Sequence, residues 1–162
     1  VLAFARGQSQ VLPRKLWMRE FMSDLEEMLQ IELAGSRVTH VVEDRHRGSV
    51  RMDDAKMKRV MTNLVRNARE AMGDAGGEIS IVAEAAPNDD RRVLLRVSDT
   101  GPGIPAEMEG RLFQSFATHG KAQGTGLGLA IVKTIVDQHE GTLTVRSKPG
   151  VGTAFEIGLP IE

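Results

Sequence analysis

The chain contains no cysteine. That excludes a disulfide framework, a thiol nucleophile and any thiolate-ligated metal site. It also has no excess of either charge: 21 Lys and Arg against 22 Asp and Glu leave a formal net charge of -1. Such a balance gives no electrostatic grip on nucleic acid or on an anionic membrane surface. No apolar run approaches the roughly 18 residues of a spanning helix, and the first residues carry no signal-peptide pattern. Internal repeats and low-complexity tracts are also missing. Together these absences suit a cytoplasmic chain with no nucleic-acid partner and no direct membrane contact, any membrane anchor of a full-length protein lying elsewhere. What remains is ordinary globular material, 162 residues that are 41% hydrophobic and 27% charged, enough for one well-buried core. The first residue is Val1 rather than Met, which points to a piece of something longer.

Residues 1–8 read as the tail of a helix stopped by Gly7, and Pro13 marks a break before the main domain, 13–162. From Leu16 to Leu33, Leu16, Trp17, Phe21, Leu25, Met28, Leu29 and Leu33 recur at three- and four-residue steps. That spacing predicts an amphipathic helix ending near Gly35. Residues 37–53 predict a strand, a turn near Gly48 and a short second strand. Asp53 or Asp54 then caps a helix running to Gly73, with Met57, Val60, Met61, Leu64, Val65, Ala68 and Met72 as its core stripe. "GEISIVAEA" and "RRVLLRVSD" predict an antiparallel hairpin through "PNDD". Residues 112–125 show no period and read as a long loop, Gly126 to His139 as helix, and "GTLTVRS" with "GTAFEIGLP" as a closing hairpin. Strands outnumber helices and pair locally, so an α+β fold is expected over an alternating parallel one.

The most glycine-marked stretch is "GTGLGLAIVK", Gly124 to Lys133. A dinucleotide fingerprint needs G-x-G-x-x-G/A after a strand, but the third small position falls on Leu129 or Ile131. A Walker A loop also fails, because Gly120-Lys121 is followed by Ala122, and Ser115 stands where the earlier glycine belongs. The physical logic of a phosphate cradle still holds. Gly124, Gly126 and Gly128 let N–H groups turn toward an anion, and the helix starting near Gly126 or Leu127 aims its positive end the same way. Thr125 adds a hydroxyl and Lys121 a mobile charge. A glycine-rich turn that only lets helix and sheet pack closely explains the stretch equally well.

Two further stretches bear on that choice. In "VSDTGPGIP", Asp99 ends a predicted strand and Gly101 and Gly103 follow at two-residue spacing. A carboxylate there can accept from the exocyclic amine of adenine, the glycines leave room for a flat ligand, and Ile104 supplies apolar contact. Alone, the stretch is also explained as a turn after a strand-end Asp. In "NLVRNAREAM", Asn63 and Asn67 are spaced i, i+4 and share a helical face. Amide oxygens suit Mg²⁺, a hard cation that prefers oxygen ligands and substrate phosphates; exposed or internally satisfied amides are the plainer alternative.

Taken in order, N-x-x-x-N, D-x-G-x-G-I, F-x-x-F and G-T-G-L-G-L resemble the ATP-binding catalytic domain of sensor histidine kinases. The wider superfamily includes type II topoisomerase and Hsp90-type ATPase domains. Phe113 and Phe116 resemble the family's phenylalanine box at the start of an ATP lid, and "HEGTLTVRSKPGVGTAFEIGLP" its closing hairpin. The match covers roughly residues 15–162, and four ordered motifs are far more specific than any one of them.

The resemblance implies a two-layer α/β sandwich, its mixed, mostly antiparallel sheet covered on one face by about three helices, with a flexible ATP lid. It implies ATP and Mg²⁺ as ligands, with Asp99 on the adenine amine, Thr153 beside it and Asn67 on the metal. Asn63 would position phosphate or metal, and Ile104, Phe113, Lys121, Thr125, Leu127 and the glycines 101, 103, 124, 126 and 128 would complete the site. His119 also lies in the lid stretch, and a solvated loop residue explains it best. The lid is short, with seven residues between Phe116 and Gly124. No catalytic side chain stands out, in keeping with a reaction that relies on positioning and charge.

In hydrolytic relatives and in anti-sigma serine kinases, the residue four before the metal-binding Asn is typically a Glu base. Here it is Asn63, and an amide takes no proton at neutral pH. A histidine acceptor needs less activation, so histidine is the expected acceptor. A stand-alone ATPase or serine kinase, or a partner-binding module without activity, are the alternatives. Glu70 departs from the family, which often carries a basic, phosphate-reaching residue there. Residues 1–12 resemble the end of a dimerisation helix and its linker. The phosphoacceptor is therefore expected on an upstream dimerisation domain, with a response-regulator receiver domain as the downstream partner. Of the four histidines, His139 matches the family's helix-end "H-x-G" and is expected to be structural, and this chain is expected not to autophosphorylate by itself.

Overall fold

The computed structural model describes residues 10–113 and 127–162, with the backbone alone at Leu127. The elements in order are β1 (Arg14–Trp17), α1 (Met18–Glu32), β2 (Val38–Asp44), β3 (Ser49–Met52) and α2 (Asp54–Met72). Then come β4 (Gly77–Ala86), β5 (Asp89–Asp99), α3 (Ala106–Glu109), α4 (Leu127–Gln138), β6 (Thr142–Lys148) and β7 (Gly152–Pro160). The main sheet has the order β2-β4-β5-β7-β6. Only β2 and β4 run parallel; the other neighbours are antiparallel. A parallel pair needs a long crossover, and here β3 and α2 form it. The predicted helix tail over residues 1–8 and most of the unpatterned stretch 112–125, with its lid, lie outside the described residues.

One face of the sheet carries α1, α2 and α4, giving the expected α+β two-layer sandwich. The predicted stripe of α2 is its buried set: Met57, Val60, Met61, Leu64, Val65, Ala68 and Met72. It packs with Phe21, Leu25 and Leu29 of α1, Val132, Ile135 and Val136 of α4, and inward residues such as Ile79, Ile81, Leu95 and Ile157. Each such side chain contributes about 1.5–3 kcal/mol by leaving water. The opposite face is polar. Arg45, Glu84, Arg96, Glu156 and Arg146 form a row of alternating charge across it, with successive contacts of 3.7, 2.7, 3.8 and 3.9 Å. Exposed ion pairs add little stability, but this row gives the second face a charged surface that no helix among the described residues covers.

One prediction from periodicity needs correction. Leu16 and Trp17 lie in β1, which pairs antiparallel with β3 as a separate two-stranded sheet. Trp17 is half exposed, with Arg19 lying 5.8 Å from its ring. The apolar spacing runs across the boundary because Leu16, in the strand, still packs on the core. The two strands predicted within 37–53 are present as β2 and β3, and they do not pair with each other; each finds its partner elsewhere. The short helix α3 was not anticipated. Among the described residues no helix is long and apolar enough to cross a membrane.

Asp53 is the N-cap of α2, and its Oδ1 accepts from the Lys56 N–H at 3.1 Å. Its Oδ2 accepts from the Leu12 N–H at 2.9 Å. Burial pushes the Asp53 carboxyl up, but the Leu12 and Lys56 backbone donors, together with nearby positive charge such as the Lys56 ammonium, outweigh it and hold the carboxyl below its ordinary value. Asp53→Ala should therefore cost about 1–2 kcal/mol in urea unfolding at neutral pH. Because the folded value is depressed, this contribution is present above the ordinary value of 3.8 and fades as pH falls through the lower folded value. The gap between wild type and variant should narrow in that acid range; a gap that widens there would contradict the assignment.

Candidate functional site

Asp99 closes β5, registered between Ile79 of β4 and Thr153 of β7. Its Oδ1 accepts the Gly101 N–H at 2.9 Å, a tight turn that brings the chain off the sheet. Thr100 holds that turn to β4, its Oγ1 accepting the Glu78 N–H at 2.9 Å. The loop then leans on the β6–β7 turn: the Gly150 N–H donates to the Pro102 carbonyl at 2.8 Å, and the Ile104 N–H to Ser147 Oγ at 2.7 Å. Ser147 Oγ also lies 3.2 Å from Thr153 Oγ1. Thus Asp99, Thr153, Ser147 and the Ile104 backbone form one polar group at the edge of the core. Thr153 is among the few buried polar residues described.

Two glycines make this approach possible. Gly103 has φ +82, and a Cβ there would lie 2.8 Å from the Lys148 carbonyl oxygen. Gly152 has φ +149, and a Cβ there would run into the Asp99 carbonyl. Both conformations disfavour L side chains. Gly101 is buried against the Met72 side chain at the end of α2. Ile104 and Phe113 are half-buried and packed on the core. Phe113 meets Phe155 edge to face, ring centres 6.5 Å apart and planes at 73°.

Asn63 and Asn67 flank the α2 stripe, both half-buried. The Cβ position of Gly128, in the first turn of α4, lies 3.8 Å from Asn63 Cγ. Along α2, Met72 at the Gly101 turn and Asn63 at Gly128 are about 14 Å apart, with Asn67 between them. The structure therefore brings together Asp99, Gly101, Gly103, Ile104 and Thr153 as one group, and Asn63 and Gly128 as another, joined by α2. Lys121, Gly124, Thr125 and Gly126 lie outside the described residues, as do Phe116 and His119, and at Leu127 only the backbone is described.

Charge along α2 divides by helical face. Arg66 turns to Glu32 of α1 through contacts of 2.8 and 3.2 Å, away from Asn67. That hydrogen bond holds the Glu32 carboxyl below its usual range despite partial burial. Arg66, Arg69 and Glu70 line, with Glu32, Arg37 and Asp74, a cleft of ≈ 730 Å³ that includes no member of the Asp99 or Asn63 groups. Among the described residues no cluster of three or more His, Cys, Asp or Glu is placed to hold a metal. Oxygen ligands from Asn63 and Asn67 remain, and a hard cation shared with phosphate oxygens fits that donor set.

Sequence reasoning did not pick out Ser147, Thr100, Gly152 or Phe155. Ser147 left a signal, since β6 places Leu143 and Val145 inward and the same two-residue phase turns a hydroxyl inward next. Thr100, Gly152 and Phe155 become part of the group only through strand pairing.

Comparison with known proteins adds independent findings. Residues 52–162 match the family model described as histidine kinase-, DNA gyrase B-, and HSP90-like ATPase. The probable sensor histidine kinase TcrY of Mycobacterium tuberculosis is 41% identical over 115 residues, 68% of this chain and 23% of that protein. Sporulation kinase A of Bacillus subtilis is 31% identical over 162 residues, 99% of this chain and 26% of that protein. The chain thus spans about a quarter of the length of these curated relatives. Among solved structures, the nucleotide-free catalytic domain of histidine kinase ThkA superposes with a TM-score of 0.78 at 28% identity, covering 93% of this chain and 96% of that one. ThkA in complex with the response regulator protein TrrA gives 0.74 at 26% identity, covering 94% and 42%.

The Gly103 geometry gives a direct test. Gly103→Ala should lose about 1–3 kcal/mol, read by thermal or urea unfolding, and should disturb the amide signals of Lys148 to Gly150. A variant as stable as wild type would mean that the positive φ is not required.

Proposed function

The chain belongs to the histidine kinase-, DNA gyrase B-, and HSP90-like ATPase family, and on that premise we propose that it holds Mg-ATP along α2 and donates the γ-phosphoryl group to a histidine outside this chain. It is a family of ATPase domains, so ATP is the nucleotide; the matched relatives and structural neighbours are histidine kinases of two-component systems. The observation that carries the finer reading is that one helix touches both ends of the site. Met72 lies at the Gly101 turn beside Asp99, and Asn63 lies at Gly128.

In this reading the Asp99 carboxylate accepts from the adenine amine, with Thr153 and the Ile104 side chain beside the ring. Asn67, with Asn63, holds Mg²⁺, which when bound neutralises phosphate charge. The first turn of α4 turns N–H groups toward the phosphates, with Gly124, Thr125, Gly126 and Lys121 completing the grip. A histidine nitrogen forms the new bond to the γ-phosphorus as the bond to the bridging oxygen breaks, and ADP leaves with that electron pair. Little covalent work falls to this chain; it orients the triphosphate and offsets charge.

The described histidines support an acceptor elsewhere. His40 Nε2 is 2.7 Å from Glu26, His46 Nε2 is 2.8 Å from the Ser49 carbonyl, and His139 is buried. The acceptor is assigned to the chain's own dimerisation domain, in keeping with relatives about three to four times as long. The solved complex of ThkA with a response regulator supports a receiver domain as the downstream partner. Asn63 in place of a Glu base argues against direct water or serine activation.

Calorimetric titration with a non-hydrolysable ATP analogue and Mg²⁺ tests this. Wild type should bind; Asp99→Asn should weaken binding at least tenfold, since a charge-assisted hydrogen bond is worth about 1.5–3 kcal/mol. Chelating Mg²⁺ should weaken wild type more than Asn67→Ala. Equal binding by wild type and Asp99→Asn, or none by wild type, would defeat the reading. Rapid ATP turnover by this chain alone would move it to the hydrolytic branch.

A further inference from the structure

Outside the nucleotide residues, one buried polar side chain has no role in the account above. His139 follows the last residue of α4 and continues its buried stripe of Val132, Ile135 and Val136. It is 4% exposed, at a position where a hydrophobic residue would be the default. Both ring nitrogens are engaged. Nδ1 lies 2.7 Å from the Ile135 carbonyl, and Nε2 lies 2.9 Å from the Asp53 backbone nitrogen. A backbone N–H can only donate, so Nε2 accepts and Nδ1 carries the proton, giving a neutral ring fixed in one tautomer. The bond joins residues 86 apart in sequence.

The two ends of the bond have geometric meaning. Asp53 caps the N-terminus of α2, while His139 ends α4. At the other end of the contact, Gly128 of α4 lies beside Asn63 of α2. From Asp53 to Asn63 is about 15 Å along a helix, and from His139 back to Gly128 about 16.5 Å, at 1.5 Å per residue. The two spans match within one residue's rise, so α2 and α4 run antiparallel with a contact at each end. Apolar packing alone permits axial slip, because methionine and valine side chains repack over small displacements. A directional hydrogen bond does not. We propose that His139 is a positioning residue: its bond to the Asp53 N–H sets the axial register of α4 against α2, and so places the first turn of α4 opposite Asn63. The same Asp53 accepts from Leu12 and Lys56, so the register is set at a point that also fixes the chain leading into the domain.

The proposal rests on the nucleotide reading only for its consequence, so its test carries one readout that needs no ligand. His139→Gln places an acceptor where Nε2 stood and keeps the bond to Asp53. His139→Asn places its amide where Nδ1 stood, keeping the Ile135 contact alone. Val136→Ala is the control for loss of packing in the same helix. In the ligand-free chain, the Gly128 amide and Asn63 side-chain NMR signals should move in His139→Asn and stay near wild type in His139→Gln and Val136→Ala. With Mg²⁺ and an ATP analogue, His139→Asn should raise Kd about tenfold, the size of one lost buried hydrogen bond. His139→Gln should stay within about twofold, and Val136→Ala should leave Kd unchanged.

Equal shifts in the Asn and Gln variants, or a Val136→Ala effect as large as His139→Asn, would overturn the proposal. If wild type binds no nucleotide, the functional reading fails while the ligand-free signals still decide the register. Should His139→Asn not fold, an α-hydroxy acid at position 53 replaces the Asp53 N–H by an ester oxygen and leaves both side chains intact. It should shift the same Gly128 and Asn63 signals; unchanged signals would overturn the proposal.

Discussion

Seven side chains of α2 point the same way and are buried between the sheet and the neighbouring helices. Everything at the candidate site depends on that burial. Successive helical residues are separated by about 100°, so fixing Leu64, Val65 and Ala68 inward puts Asn63 and Asn67 on one flank of the stripe. Arg66 falls on the side facing away from the stripe, where it pairs with Glu32 of α1. The partition follows from rotation about one axis, and no separate device is needed to aim the amides. Local propensity does not favour asparagine in a helix interior; the helix forms there because packing outweighs it.

The Asp99 end of the candidate site is built by a different rule. Asp99 and Thr153 are neighbours because β5 and β7 pair in one register, and a slip of one residue would turn either to the other face. Gly152 and Gly103 let the β6–β7 turn come close enough to hold the loop after Asp99. The carboxylate therefore sits on a rigid strand end, while the glycine loop that follows is tied at several backbone points. A rigid floor of this kind spares binding the entropy of ordering it. The Asn63 end, by contrast, depends on helix packing, with Gly128 in the first turn of α4 lying against Asn63.

Much of this was legible in the chain. Periodicity located the α2 stripe residue for residue, turn chemistry located both antiparallel hairpins, and Asp53 was readable as one of two candidate caps. Three motifs in order marked Asp99, Asn63 and Asn67, and the glycines after them. Periodicity misread Leu16 and Trp17 because a strand residue and a helix residue can both face one core. It could not show that β2 and β3 have different partners, since proximity in sequence says nothing about which edge of a sheet a strand joins. Ser147, Phe155 and the second role of Asp53 were hidden for a related reason: each depends on a neighbour far along the chain.

The sequence by itself determined which residues could bury and which could bind, because hydrophobic period and side-chain chemistry are local properties. It set the class of nucleotide fold through the order of its motifs. Only the tertiary structure decided where those groups stand relative to one another. Strand register set Asp99 beside Thr153, and antiparallel packing set Gly128 beside Asn63. The His139 to Asp53 bond closes a distance of 86 positions. Hydrogen bonds are short and directional, so which distant donors and acceptors meet is fixed only once the whole core has packed.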